Sequence, residues 1–126
     1  MSVRISEAEF EALVAEVLDS LPEDIARYLD NVDVVVARWP TPEQRRQAGV
    51  REGEMLLGLY EGVPLTERGV HYGLVLPDKI TIFQGPLERI SRTRAELREH
   101  IRRTVLHELA HHFGISDERL RELGAY

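Results

Sequence analysis

Residues 94–113 constrain the fold more than any other stretch, because they are written as one long helix with a signal at each end. Thr93 and Glu96 form a capping-box pattern at its start. Leu97, Ile101, Val105, Leu109 and Phe113 then recur at helical spacing and supply a core-facing stripe. Gly114 stands where a left-handed C-terminal cap is expected. This is the longest helix that the sequence predicts.

The remaining elements are shorter. Ser6 and Glu9 repeat the capping-box pattern, Ile5 and Phe10 are spaced as a hydrophobic staple, and Phe10, Leu13, Val14, Val17 and Leu18 give a helix over 7–20. A short helix follows Pro22, with Ile25 and Leu29 inward and Asn31 at its end. Val32 to Trp39 is rich in β-branched residues and reads as a buried strand. Thr41 caps a short helix beginning at Pro42. Met55 to Tyr60 suggests a second strand, closed by the turn at Glu61-Gly62. Val63 to Tyr72 reads as loop, and Gly73 to Leu76 as a short strand. Pro77-Asp78 makes a turn, Lys79 to Phe83 alternates as a half-buried strand, and Gly85-Pro86 breaks it. A last short helix has Ser116 as N-cap, with Ile115 and Leu120 as its staple. The order is helix, helix, strand, helix, strand, strand, helix, helix, an α+β arrangement expected to form one domain over residues 1–126.

The chemistry is concentrated in the last turns of the long helix, His107-Glu108-Leu109-Ala110-His111-His112-Phe113, and in Gly114-Ile115-Ser116-Asp117 beyond it. Two histidines four apart lie about 6 Å apart along a helix axis and on nearly the same face, so both imidazoles can converge on one metal ion. Glu108, beside the first of them, can reach a metal-bound water without ligating, which is the mechanical meaning of the H-E-x-x-H spacing. Gly114 lets the chain turn sharply. That turn can swing Asp117 back as a carboxylate third ligand, leaving one position open for water as catalytic zinc requires. A carboxylate in the first turn of a helix is also stabilised by the helix dipole. On that reading Asp117 is only a dipole partner, and Glu118 is the alternative third ligand.

Composition narrows the choice. With no cysteine, disulfides and thiolate metal sites are excluded, and a transition metal has only imidazole, carboxylate and water to bind. The net charge of −6 argues against a general nucleic-acid binder. Residues 1–10 lack the apolar core of a signal peptide, and no run approaches the roughly eighteen apolar residues needed to span a bilayer. A cytoplasmic protein with no membrane partner is expected.

The motif resembles the zincin superfamily, and its H-E-x-x-H-x-x-G-x-x-D form is similar to metzincin-like sites with Asp as third ligand. The wider chain, including Leu56-Leu57-Gly58-Leu59-Tyr60-Glu61-Gly62 and Leu76-Pro77-Asp78-Lys79-Ile80-Thr81, resembles minimal bacterial zincin-like metallopeptidases over roughly residues 5–123. The resemblance implies an α+β, zincin-like fold, with a small mixed sheet packed on a long active-site helix, further helices and almost no lower subdomain. It implies a zinc ion on His107, His111 and Asp117, with Glu108 as general base. Peptide-bond hydrolysis follows, on a peptide or protein lying extended along a sheet edge, for which Lys79 to Phe83 is the candidate strand. Only nine residues follow Asp117, and the methionines are Met1 and Met55, so the Met-turn of a full metzincin has no counterpart and a shallow, open site is expected.

Other residues carry weaker readings. His112 points roughly 100° away from His111 and reads as a supporting or surface residue. His100 lies too far along the helix to ligate. Tyr60, His71, Tyr72 and Tyr126 are candidates for stabilising the oxyanion. The arginines at 89, 92, 94, 98, 102 and 103 read as a solvated helix face, and Trp39 as core or rim. A zinc-binding structural or regulatory module with little turnover is the alternative to a peptidase, and an adaptor with an incidental motif is the third reading.

Overall fold

A computed structural model describes residues 1–62 and 77–125. In chain order they form α1 (Glu7–Asp19), α2 (Glu23–Ala26) running into a 3-10 turn (Arg27–Leu29), β1 (Val32–Ala37), α3 (Pro42–Ala48), β2 (Gly58–Glu61), β3 (Asp78–Phe83), α4 (Gln84–Arg89), α5 (Arg94–Phe113) and α6 (Asp117–Glu122). The architecture is α+β: a small mixed sheet packed on a long helix, with further helices around it.

Local chemistry fixes most of the helix ends. The hydroxyls of Ser6, Thr41, Thr93 and Ser116 each accept from the backbone N–H three residues on, satisfying a donor that has no partner within its helix. At Thr41 the box is reciprocal, since Gln44 also accepts from the Thr41 N–H at 2.9 Å. Gly114 adopts φ 67°, and the Ile115 N–H returns to the Ala110 carbonyl at 2.9 Å, which stops α5 where the sequence says it stops.

Among the described residues the sheet has the order β1-β3-β2, with β1 parallel and β2 antiparallel to β3. Ile80 and Ile82 point to one face, where they meet Val34 and Val36 of β1, Phe10, Leu13 and Val17 of α1, and Leu97, Ile101, Val105 and Leu109 of α5. Thr81 and Phe83 point to the other, where Phe83 packs with Leu56 and Leu59 beneath Ala48 and Val50. The first face is the main core, and it holds α5 across the sheet.

Four expectations are corrected. Lys79 to Phe83 is not an edge strand: β3 lies between its two neighbours, and residues 80–83 are all buried. Its alternation reports two dissimilar covered faces rather than one wet one. Conversely, β1 is the half-exposed flank, with Asp33 and Val35 outward. Gly85-Pro86 does not interrupt the chain, because a helix begins at Gln84 and accommodates Pro86 in its first turn, where a missing N–H costs nothing. Phe113 is 42% exposed rather than core, since the last turn of α5 runs past the main cluster. The loop and short strand expected over residues 63–76 lie outside the described residues.

Candidate metal centre

The last two turns of α5 present His107 and His111 on their outer side while Val105 and Leu109 face the core. The two imidazole rings lie roughly parallel, at 25°, with centroids 6.3 Å apart. Both rings are exposed. Two imidazoles on one tetrahedral zinc have centroids about 5 Å apart, from Zn–N bonds of about 2.0–2.1 Å. An inward movement of about 1 Å shared between two exposed side chains closes that gap, so the pair fits a zinc ion.

Glu108 sits between them on the side facing β2. Its Oε1 accepts from the Tyr60 N–H at 3.0 Å. That donor is available because of strand alternation. The Leu57 carbonyl accepts from the Phe83 N–H at 3.0 Å, so odd-numbered residues of this segment turn their backbone groups to β3. Tyr60 turns its N–H outward, over the helix. Burial pushes the Glu108 carboxyl above its ordinary range; the Tyr60 N–H and the two imidazoles pull the other way and only partly offset it. A carboxylate raised in this way is better able to carry a proton near neutral pH.

The strand can come so close because position 58 is glycine. A Cβ there would lie 2.6 Å from the Thr104 methyl of α5 and 3.3 Å from the Thr81 carbonyl. Two hollows flank Glu108, of about 450 Å³ on the His100 and Thr104 side and about 550 Å³ on the His111 side beneath Gln47 and Ala48 of α3.

His112 takes no part in the pair of rings. It stacks on Tyr60, with centroids 3.8 Å apart and planes at 13°, and its Nε2 lies 3.9 Å from Asp78 Oδ2. The Tyr60 hydroxyl donates to the same Asp78 oxygen at 2.7 Å. Phe113 closes the cluster edge-on to His112 at 4.8 Å and tilted against Tyr28 at 5.1 Å. Tyr60 therefore contributes its backbone N–H to the site while its hydroxyl is spent on Asp78. The other oxyanion candidates, His71, Tyr72 and Tyr126, lie outside the described residues. His100 is held by Ser91 Oγ at 2.8 Å from its Nδ1.

The structure brings together His107, Glu108 and His111, and it does not bring Asp117 to them. Asp117 is exposed in the first turn of α6, just after the Ser116 cap. No group of three or more His, Asp or Glu side chains is close enough to share a metal ion among the described residues. Sequence reasoning missed the Tyr60 N–H and Asp78. The first could be found only from strand register, and the second was read as a turn residue.

The sequence profile of the zincin-like metallopeptidase family matches residues 29–125, which include both histidines, Glu108, Tyr60 and Asp117. The chain belongs to the zincin-like metallopeptidase family. The family implies a metal, usually zinc. A conserved hypothetical protein from Thermus thermophilus has a similar structure, with a TM-score of 0.56 and 26% identity over 86% of this chain and 94% of that one. No curated protein matches the chain. Among the described residues of this family member, no helix is long and apolar enough to cross a membrane.

Proposed function

We propose that the protein hydrolyses peptide bonds with zinc held by His107, His111 and Asp117 and with Glu108 as general base. The observation that carries this reading is the Tyr60 N–H donating to Glu108 at 3.0 Å, which fixes a half-buried carboxylate beside two exposed imidazoles. Bound zinc would supply a Lewis acid and lower the pKa of water at the site. Glu108 takes one proton from the attacking water through its free carboxylate oxygen, while the Tyr60 N–H keeps the other oxygen in place. The water oxygen bonds to the scissile carbonyl carbon, and the C–N bond breaks as Glu108 delivers the proton to the leaving amine. An extended substrate would lie beside Glu108, along the hollows between β2 and α5. Asp117 stands apart from the pair, so its ligation would require a movement at the start of α6.

Elemental analysis of the purified protein, in wild type and His111→Ala, is the first test. One equivalent of zinc, absent from the variant, supports the site. Hydrolysis of a peptide library by wild type but not by Glu108→Gln, with zinc retained, supports the role of the base. The separation of Asp117 from the histidine pair favours a second reading, a zinc-binding module with little turnover. Equal behaviour of wild type and Glu108→Gln on every peptide would establish that reading instead.

A further inference from the structure

The end of β1 carries a feature that hydrolysis at the metal centre does not use. Trp39, the chain's single tryptophan, keeps 45% of its surface exposed and is nevertheless held firmly. Gly85 of α4 packs under the ring so closely that a Cβ there would come within 2.5 Å of the indole. The Gly85 N–H donates to the Arg38 carbonyl at 2.8 Å, tying α4 to the strand end. The Arg89 guanidinium lies 4.9 Å from the ring centroid, a cation–π contact. Tryptophan and arginine are among the residue types that most often dominate binding energy at protein interfaces.

The charge around it is one-sided. Two hollows meet at the ring, about 340 Å³ bordered by Arg4, Arg38 and Arg89, and about 280 Å³ bordered by Arg45, Met55 and Leu56. Of the carboxylates lining them, Glu88 is buried and accepts from the Ile5 N–H and the Gln84 amide, and Glu54 lies 4.0 Å from Arg51. Arg4, Arg38 and Arg89 are exposed and pair with no carboxylate among the described residues, whereas Arg94, Arg98, Arg102 and Arg103 all do. On a chain of net charge −6 this is a local positive surface with an apolar centre. Leu56 lines both the hollow beside Trp39 and the hollows beside Glu108, so the two places are neighbours on the molecule.

We infer that this face docks an acidic segment of the polypeptide substrate. Carboxylates of that segment meet Arg38 and Arg89, an apolar side chain lies against Trp39, and the neighbouring residues pass Leu56 toward His107, Glu108 and His111. The identity of the occupant rests on the peptidase reading; the docking surface itself is tested separately.

Trp39 is the only indole, so its emission reports on this face. The full chain carrying Glu108→Gln is titrated with a short synthetic Glu/Leu peptide, a Lys/Leu peptide and a single-stranded oligonucleotide. The Glu/Leu peptide should shift the emission saturably and bind more weakly as salt rises. An Arg38→Glu/Arg89→Glu variant should bind it about tenfold more weakly or worse, and the Lys/Leu peptide should leave the emission unchanged. No shift with the acidic peptide, or equal affinity in the charge-reversed variant, overturns the inference. Tighter binding of the oligonucleotide overturns it in favour of a nucleic-acid surface, and a concentration-dependent shift in the protein alone overturns it in favour of self-association. Absence of docking overturns this inference and leaves the peptidase reading standing, whereas docking without hydrolysis of any peptide sinks the peptidase reading and leaves the docking surface standing.

Discussion

Gly58→Ala should damage the joint between β2 and α5 without touching a metal ligand. The φ of Gly58 lies outside the left-handed range, so alanine is allowed by the backbone and its cost is steric. The new Cβ would stand 2.6 Å from Thr104 Cγ2, about 1 Å inside ordinary carbon–carbon contact. Overpacking of this kind costs about 1–3 kcal/mol. For a domain of this size that corresponds to a melting temperature lower by roughly 3–15 °C. Thr104→Ser removes the obstructing methyl and keeps the hydroxyl that donates to the His100 carbonyl at 2.7 Å. Alone it should cost about 0.5–1.5 kcal/mol for a lost buried methyl. In the double variant the alanine methyl occupies the vacated space, so the pair should be coupled by about 1–2 kcal/mol. Thermal and urea melts followed by circular dichroism give all four corners of the cycle. If Gly58→Ala melts with wild type, or if Thr104→Ser recovers none of its loss, the close packing of strand on helix is refuted.

Burial raises the Glu108 carboxyl, so in the metal-free protein the fold favours its protonated form. Its contribution to stability is full below the ordinary carboxylate range and is lost as pH rises through the raised value. Metal-free Glu108→Gln should therefore be more stable than wild type at neutral pH, with the gap closing on acidification; a constant gap in urea melts across that range would refute the assignment. Ile101→Ala, at a fully buried position of α5, should cost about 2–5 kcal/mol, read from the urea midpoint. Glu88→Ala removes the buried acceptor of the Ile5 N–H and should cost about 1.5–3 kcal/mol, with faster amide exchange at Ile5 as its specific sign. Chelation should lower the melting temperature of wild type and leave that of His111→Ala unchanged.

The parts that were legible in the sequence are those decided within a few residues. The Thr41, Thr93 and Ser116 caps follow from side chains bonding to their own neighbours, and the end of α5 follows from a glycine free to turn left-handed at 114. The spacing of His107, Glu108 and His111 is equally local, since a helix alone places them. What alternation along β3 could not report is which strands lie on either side of it. Ile80 and Ile82 alternate with Thr81 as they would at an edge, yet Thr81 is covered by a second small cluster built from Leu56, Leu59 and Phe83. Phe113 kept helical phase with the core residues and still lies outside the core, because phase says nothing of where the sheet ends. The Tyr60 N–H is invisible to any reading by residue type: every residue but proline has one, and only the β2 register aims this one at Glu108.

These distinctions separate two levers at one centre. His107 and His111 are placed by α5 alone, so their spacing depends on a helix anchored by Leu97, Ile101, Val105 and Leu109. Glu108 belongs to the same helix, but its carboxylate is oriented from outside, by a strand whose closeness depends on Gly58 and whose far end is clamped through Tyr60, Asp78 and His112. A change that shifts β2 by a fraction of an ångström should thus leave metal affinity nearly intact and fall on turnover. A change within the Val105–Leu109 turn should reduce both together. Gly58→Ala and Leu109→Ala are the contrasting pair, compared by zinc content and by hydrolysis at a temperature where both are folded. Equal loss of zinc from the two would mean that the strand also sets the ligands, and that the metal and the base share one support rather than two.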